Sequence, residues 1–143
     1  MTAPPPRSPD SAPDAAPTVL VVDDEPTLRT VLRRALAREG WAVEEAADGL
    51  EGLERLRADG DRYAVVFLDL SLPGLPGRQL WERVRAERPE LLDRLVIVSG
   101  AEEDWVTEAG CTQLGKPFDL VEARRVAREV ARRAGRTPPT AAG

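Results

Sequence analysis

Apolar residues fall along the chain in two alternating rhythms. Thr18-Val-Leu-Val-Val22 is a β-branched run that stops at Asp23-Asp24-Glu25-Pro26, the pattern of a buried strand ending in a turn. Leu28, Val31, Leu32, Ala35 and Leu36 then recur at helical spacing, with Pro26 suited to a first turn and Gly40 to a stop. A strand is predicted from Trp41 to about Glu45, and a second helix from Asp48-Gly49 to about Asp59-Gly60 with Leu50, Leu53 and Leu56 inward. Tyr63-Ala-Val-Val-Phe-Leu68 is apolar throughout, as a central parallel strand covered on both faces must be, and it ends at Asp69.

The alternation continues to the end. The loop Ser71–Gly77 leads to a helix carrying Leu80 and Val84 and then to a turn near Pro89. Leu95–Val98 reads as a strand ending at Ser99-Gly100, and Ala101–Gly110 has room only for a short helix holding Trp105 and Val106. Thr112–Leu114 reads as a weak strand, Gly115-Lys116-Pro117-Phe118 as a loop, and a last helix from about Leu120 turns Ala123, Val126, Ala127, Val130 and Ala131 inward. Five strands alternating with five helices require right-handed crossovers and a parallel sheet with helices on both faces.

Both ends break the pattern. Six of the 13 prolines fall in the first 17 residues, and Arg136-Thr-Pro-Pro-Thr-Ala-Ala-Gly143 is equally poor in apolar content. We expect disordered tails at 1–17 and 135–143 around one domain at 18–134. The methionine start and proline-rich ends read as a whole protein and not as a fragment of a hybrid kinase, with no DNA-binding module.

Composition narrows the chemistry. With no histidine, a Ser-His-Asp triad, an imidazole zinc site and a phosphohistidine on this chain are excluded. A single cysteine, Cys111, excludes an internal disulfide or thiolate cluster and reads as a small core residue in a reducing compartment. No signal peptide or run of 18 apolar residues is present, so a cytoplasmic protein without membrane contact is expected. The net charge of -5 argues against nucleic acid, and the arginines from Arg124 to Arg136 read as the solvated face of a helix.

In a parallel sheet, ligands bind beyond the carboxyl ends of the strands. Asp23 and Asp24 follow the first strand, Asp69 the third, Ser99 the fourth and Lys116 the fifth. Singly, Asp24 reads as a helix cap, Asp69 as a turn former, Ser99 as a cap and Lys116 as solvated surface. Together, three carboxylates on one rim repel one another unless a divalent cation sits among them, and hard oxygen ligands favour Mg²⁺. A metal and an ammonium imply an anion between them, such as a phosphoryl group that Asp69 could accept as an acyl phosphate. Lys116 is the only lysine among 20 basic residues, a compact ammonium where the chain otherwise uses guanidinium. Pro117 after it raises the chance of a cis peptide.

Val21-Val-Asp-Asp-Glu-Pro26, Leu68-Asp-Leu-Ser-Leu-Pro-Gly74 with Gly77, Val98-Ser-Gly100 and Lys116-Pro-Phe118 occur in this order at successive strand ends. In that ordered set the chain resembles a response regulator receiver domain of bacterial two-component signalling, over about Thr18 to Ala134. The resemblance implies a flavodoxin-like, doubly wound fold with strand order 2-1-3-4-5. It implies Asp69 as phosphoacceptor from the phosphohistidine of a histidine kinase or histidine phosphotransfer protein. Asp23, Asp24, Asp69 and the backbone carbonyl of Ser71 would hold Mg²⁺, and Ser99 and Lys116 would bind the phosphoryl oxygens. The switch would act by docking a downstream protein, without direct DNA binding, and water would reset it.

Two departures stand out. The position three before the lysine, aromatic in the family, is Gln113, and only 17 positions separate Ser99 from Lys116, about five fewer than the family leads one to expect, which implies a truncated fourth helix. These favour a rival reading, a receiver kept as a docking scaffold and never phosphorylated. A phosphatase of the haloacid dehalogenase type shares the chemical groups but places its nucleophile after the first strand and its acidic pair last, the reverse of this chain. A flavodoxin-like cofactor protein would find the acidic first loop hostile to a flavin phosphate.

Overall fold

The structure, a computed structural model, describes residues 16–101 and 103–139. Five strands, β1 (Thr18–Val22), β2 (Ala42–Ala46), β3 (Tyr63–Asp69), β4 (Leu95–Ser99) and β5 (Thr112–Gly115), form one parallel sheet in the order β2-β1-β3-β4-β5. Between and after them run α1 (Pro26–Arg38), α2 (Gly49–Asp59), α3 (Gly77–Glu87), α4 (Asp104–Glu108) and α5 (Leu120–Arg133). The doubly wound fold with the predicted strand order is therefore present.

Period-two alternation splits the strand side chains between two cores. Leu20, Val22, Val66, Leu68 and Ile97 pack towards α2 and α3, whereas Val19, Val21, Val65, Phe67 and Val96 pack towards α1 and α5. Every residue of β3 is buried, and each fully buried Val, Leu or Phe there contributes roughly 1.5–3 kcal/mol. Register aligns the carboxyl ends: Val22 lies opposite Leu68, Asp69 opposite Val98 and Ser99 opposite Gly115. The rim that carries the candidate chemistry is set by this alignment.

Several expectations are corrected. Leu50 points outward, 57% exposed, because α2 packs inward on Gly49, against the loop at Leu75, and on Gly52, against Val22 of β1. A Cβ at Gly49 would strike the Leu75 carbonyl, and one at Gly52 would lie 2.9 Å from Val22, so the glycines set the helix face and leave Leu50 to solvent. Val31, assigned to the inner face of α1, is also exposed. Trp41 precedes β2 and closes α1, its N–H donating to the Leu36 carbonyl at 3.2 Å. The turn near Pro89 is a 3-10 stretch, Pro89–Arg94, that buries Leu91.

The ends are more tied than their composition suggests. Residues 1–15 and 140–143 lie outside the described residues, but the Pro17 carbonyl accepts from Ala42 N–H at 2.9 Å. Gly135 takes a positive φ of 75° and closes α5 with Arg136 N–H on the Ala131 carbonyl, the Schellman arrangement. Arg128 then reaches the Pro139 carbonyl at 3.1 Å, so 135–139 run beside α5.

As the spacing predicts, α4 is short, with five residues. It is fastened to α3 by Trp105, whose ring lies 5.3 Å from that of Trp81 at 60°, with the Arg78 guanidinium over Trp105. Gly77 opens α3 where a Cβ would lie 2.5 Å from the Asp69 carbonyl and 2.7 Å from Leu70 Cα. We expect Gly77→Ala to destabilise the fold by about 1–3 kcal/mol in urea unfolding, since the offending atoms are backbone.

Candidate functional site

The first turn after β1 places Asp23 and Asp24 differently. Asp23 is buried, its Oδ1 accepting from Glu25 N–H at 2.8 Å, whereas Asp24 is exposed on the same rim. Asp69, the last residue of β3, is equally buried, and its Oδ1 accepts from Ser71 N–H at 2.9 Å. Carboxylate oxygens of Asp23, Asp24 and Asp69 lie within 4.8 Å of one another. The structure thus brings together the three acids proposed from sequence.

Lys116 reaches into this cluster from the loop after β5. Its Nζ lies 2.8 Å from Asp69 Oδ2 and 3.8 Å from Asp23 Oδ2. The Lys116–Pro117 peptide is cis, and Lys116 N–H donates to the Ser99 carbonyl at 2.8 Å. Partial burial pulls the ammonium down, but the hydrogen bond and charge of Asp69, with Asp23 behind it, outweigh that and hold its pKa above the ordinary value.

The acids remain under-compensated. Burial, reinforced by the charge of Asp69 and opposed by the Glu25 N–H, pushes Asp23 up to about 6. Three carboxylates against one ammonium leave a surplus of two negative charges, all on hard oxygen donors, with no histidine or cysteine in the cluster among the described residues. That surplus and that donor set fit a divalent ion of the Mg²⁺ class.

Ser99 is buried at the end of β4, but its hydroxyl is not on the acids. It donates to the Ala101 carbonyl at 2.7 Å and accepts from Ala101 N–H at 3.2 Å. Ser71 is exposed beside the cluster. Gln113 is exposed on β5, an edge strand, with no aromatic ring at that position. Cys111 packs against the core with Trp81 and Trp105, and burial pushes its thiol up, which suppresses thiolate chemistry.

Arg29 escaped the sequence reading. Its Nη1 donates to the Asp23 carbonyl at 2.6 Å while its Nε reaches Glu45 on β2 at 3.1 Å, so it ties the first acidic turn to the neighbouring strand. Nothing in local spacing signals this, because the partner carboxylate belongs to another element. Arg29→Ala is expected to weaken Mg²⁺ binding by about tenfold in calorimetric titration, the usual scale for a group supporting a metal ligand.

A family model described as the response regulator receiver domain matches residues 19–124. The chain belongs to that family. Among curated relatives, the probable transcriptional regulatory protein TcrX of Mycobacterium tuberculosis is 37% identical over 123 residues. The match covers 84% of this chain and 52% of TcrX, so this receiver domain spans about half of that relative's length.

Solved receiver domains share the fold. That of the Francisella response regulator 1452 superposes with a TM-score of 0.74 at 24% identity, covering 82% of this chain and 98% of that one. The receiver domain of the sensor histidine kinase PA1611 from Pseudomonas aeruginosa gives 0.71 at 25% identity, covering 82% and 98%, and is described with a magnesium ion coordinated in its active site cleft. Receiver domains are signalling switches and not classical enzymes, and the acidic triad here fits the pocket at which the family binds Mg²⁺. Among the described residues no helix is long and apolar enough to cross a membrane.

Proposed function

We propose that this receiver domain takes a phosphoryl group onto Asp69 from the phosphohistidine of a partner histidine kinase or phosphotransfer protein. The observation that carries the reading is the buried Asp69 carboxylate, held at 2.8 Å by the only lysine and flanked by Asp23 and Asp24. An Asp69 carboxylate oxygen forms the new O–P bond as the donor's N–P bond breaks, the electron pair leaving with the imidazole nitrogen. Lys116, which holds Asp69 Oδ2 before transfer, would turn its ammonium to a phosphoryl oxygen as the carboxylate loses its charge. Mg²⁺, held by Asp23, Asp24, Asp69 and the Ser71 carbonyl, would neutralise phosphoryl oxygen charge. Ser99 would leave Ala101 and donate its hydroxyl to another phosphoryl oxygen.

The phosphorylated domain then docks a downstream protein, and water attack on the acyl phosphate restores the carboxylate and releases phosphate. Cytoplasmic residence fits a donor kinase and a reduced Cys111. The name of TcrX indicates transcriptional regulation for that protein, about half of whose length this chain matches, so a transcriptional output is the second reading of what the switch controls.

The exposed Gln113 and the five-residue α4 favour a different second reading of the site itself, a scaffold that docks without phosphorylation. Intact mass after incubation with acetyl phosphate separates the two. The switch predicts one Mg²⁺-dependent phosphoryl adduct that Asp69→Asn abolishes. No adduct on the unaltered chain, together with failure to bind beryllofluoride, would leave the scaffold.

A further inference from the structure

Ion pairing divides the arginines of this protein into two populations. Many meet carboxylates: Arg29 and Arg33 of α1 share Glu45, Arg55 and Arg62 share Glu44, Arg57 meets Glu87, and Arg88 meets Asp61 and Glu90. On α5, Arg125 pairs with Glu122 and Glu129 and Arg133 with Glu129, but among the described residues the arginines that face α1 do not meet a carboxylate. Arg124 and Arg128 bond only to the backbone carbonyls of Ala35 and Pro139, and Arg38 and Arg132 have no ion pair among the described residues.

The placement is regular. Arg124, Arg128 and Arg132 are four residues apart on α5, a stripe about 12 Å long at the helical rise. They line a groove of about 370 Å³ between α5 and the end of α1, which Glu39 and Glu129 also line and where Val121, 70% exposed, marks one end. Arg38 lies three residues beyond Ala35, whose carbonyl takes Arg124 Nε at 3.3 Å, on the adjoining edge of α1. Like charges four apart weaken a helix, and among the described residues none of Arg124, Arg128 and Arg132 has a carboxylate within ion-pair distance, although Glu39 and Glu129 line the same groove.

We propose that this face docks an acidic helical segment of a partner protein, with carboxylates repeating every four residues and an apolar side chain at the end that meets Val121. The spacing matches one helix face against another, and guanidinium forks suit discrete carboxylates. A nucleic acid fits less well, because a continuous phosphate backbone would run against Glu39 and Glu129 and against a chain of net charge -5. The residues of this face are distinct from the Asp23, Asp24, Asp69 and Lys116 cluster, and the contacts it would make do not involve Asp69.

The test uses a fluorescein-labelled Ala/Gln peptide of about 16 residues, long enough to form helix, with three glutamates four apart and a terminal leucine. A second peptide has the same composition with the glutamates two apart. Anisotropy titration of the full chain at low salt should show binding about tenfold tighter for the four-residue repeat, lost to a similar extent in Arg128→Gln/Arg132→Gln. Arg57→Gln, which removes a paired arginine elsewhere, should bind as the unaltered chain does, and circular dichroism checks that each variant folds. Equal binding of the two peptides, or unchanged binding by the double variant, would overturn the proposal. So would tighter, equally Arg128/Arg132-dependent binding of a single-stranded oligonucleotide, or a dimer in sedimentation that the double variant dissolves.

Discussion

Asp23→Asn is expected to stabilise the metal-free protein at neutral pH while removing most of its Mg²⁺ affinity. The carboxyl has a raised folded value of about 6 against an ordinary 3.8, chiefly because it is buried and then because it faces Asp69. A group with a raised folded pKa favours folding below the unfolded value, and that contribution is lost as pH rises through the folded one. At neutrality the ionised Asp23 therefore costs the metal-free fold about 3 kcal/mol at most, which an uncharged amide avoids.

The geometry survives the exchange, since an asparagine oxygen can still accept from Glu25 N–H. Urea denaturation at pH 7 should show the variant more stable by roughly 1–3 kcal/mol, the gain shrinking as pH falls from 6 towards 4. Mg²⁺ should stabilise the unaltered chain and barely shift the variant. A variant less stable than the unaltered protein at pH 7 would refute the assignment of Asp23 as the strained member of the cluster.

Lys116→Met should act in the opposite sense. It leaves the Asp69 carboxylate buried, held by Ser71 N–H and facing two other acids. Removing one partner of a charge-assisted hydrogen bond costs about 1–3 kcal/mol. The loss should show as a lower urea midpoint and should be recovered in part by millimolar Mg²⁺ and in part by adding Asp23→Asn. Strict additivity of the two substitutions would mean that Lys116 and Asp23 do not share one field.

The contrast between Lys116 and Arg29 shows what the sequence could reveal. Lys116 announces itself as the only lysine, at a strand end, before a proline. Arg29 is one of many arginines, and its role arises because β2 brings Glu45 beside α1 while β1 presents the Asp23 carbonyl. Strand identity and the acidic rim were legible because each depends on a short local run, as in Tyr63–Asp69. The face of α2 was not. Counting leucines puts Leu50 inside, but close approach of Gly49 to the Leu75 backbone and of Gly52 to the Val22 side chain sets the helix face, and hydrophobic spacing carries no record of close approach. The brevity of α4 was legible as a residue count, whereas its Trp81–Trp105 fastening pairs residues 24 positions apart. The bonds that tie 135–139 to α5 likewise come from backbone carbonyls that composition does not register.

The paired bonds between Ser99 and Ala101 also set how quiet the resting protein is. On the proposed role of Ser99, activation exchanges both of them for a phosphoryl oxygen, so without phosphate the rotated hydroxyl gives up two contacts and gains none. At about 1 kcal/mol net for each, spontaneous rotation is held to a few per cent of molecules. On that proposed role, the three residues from Ser99 to Ala101 form a local latch that limits spontaneous activation.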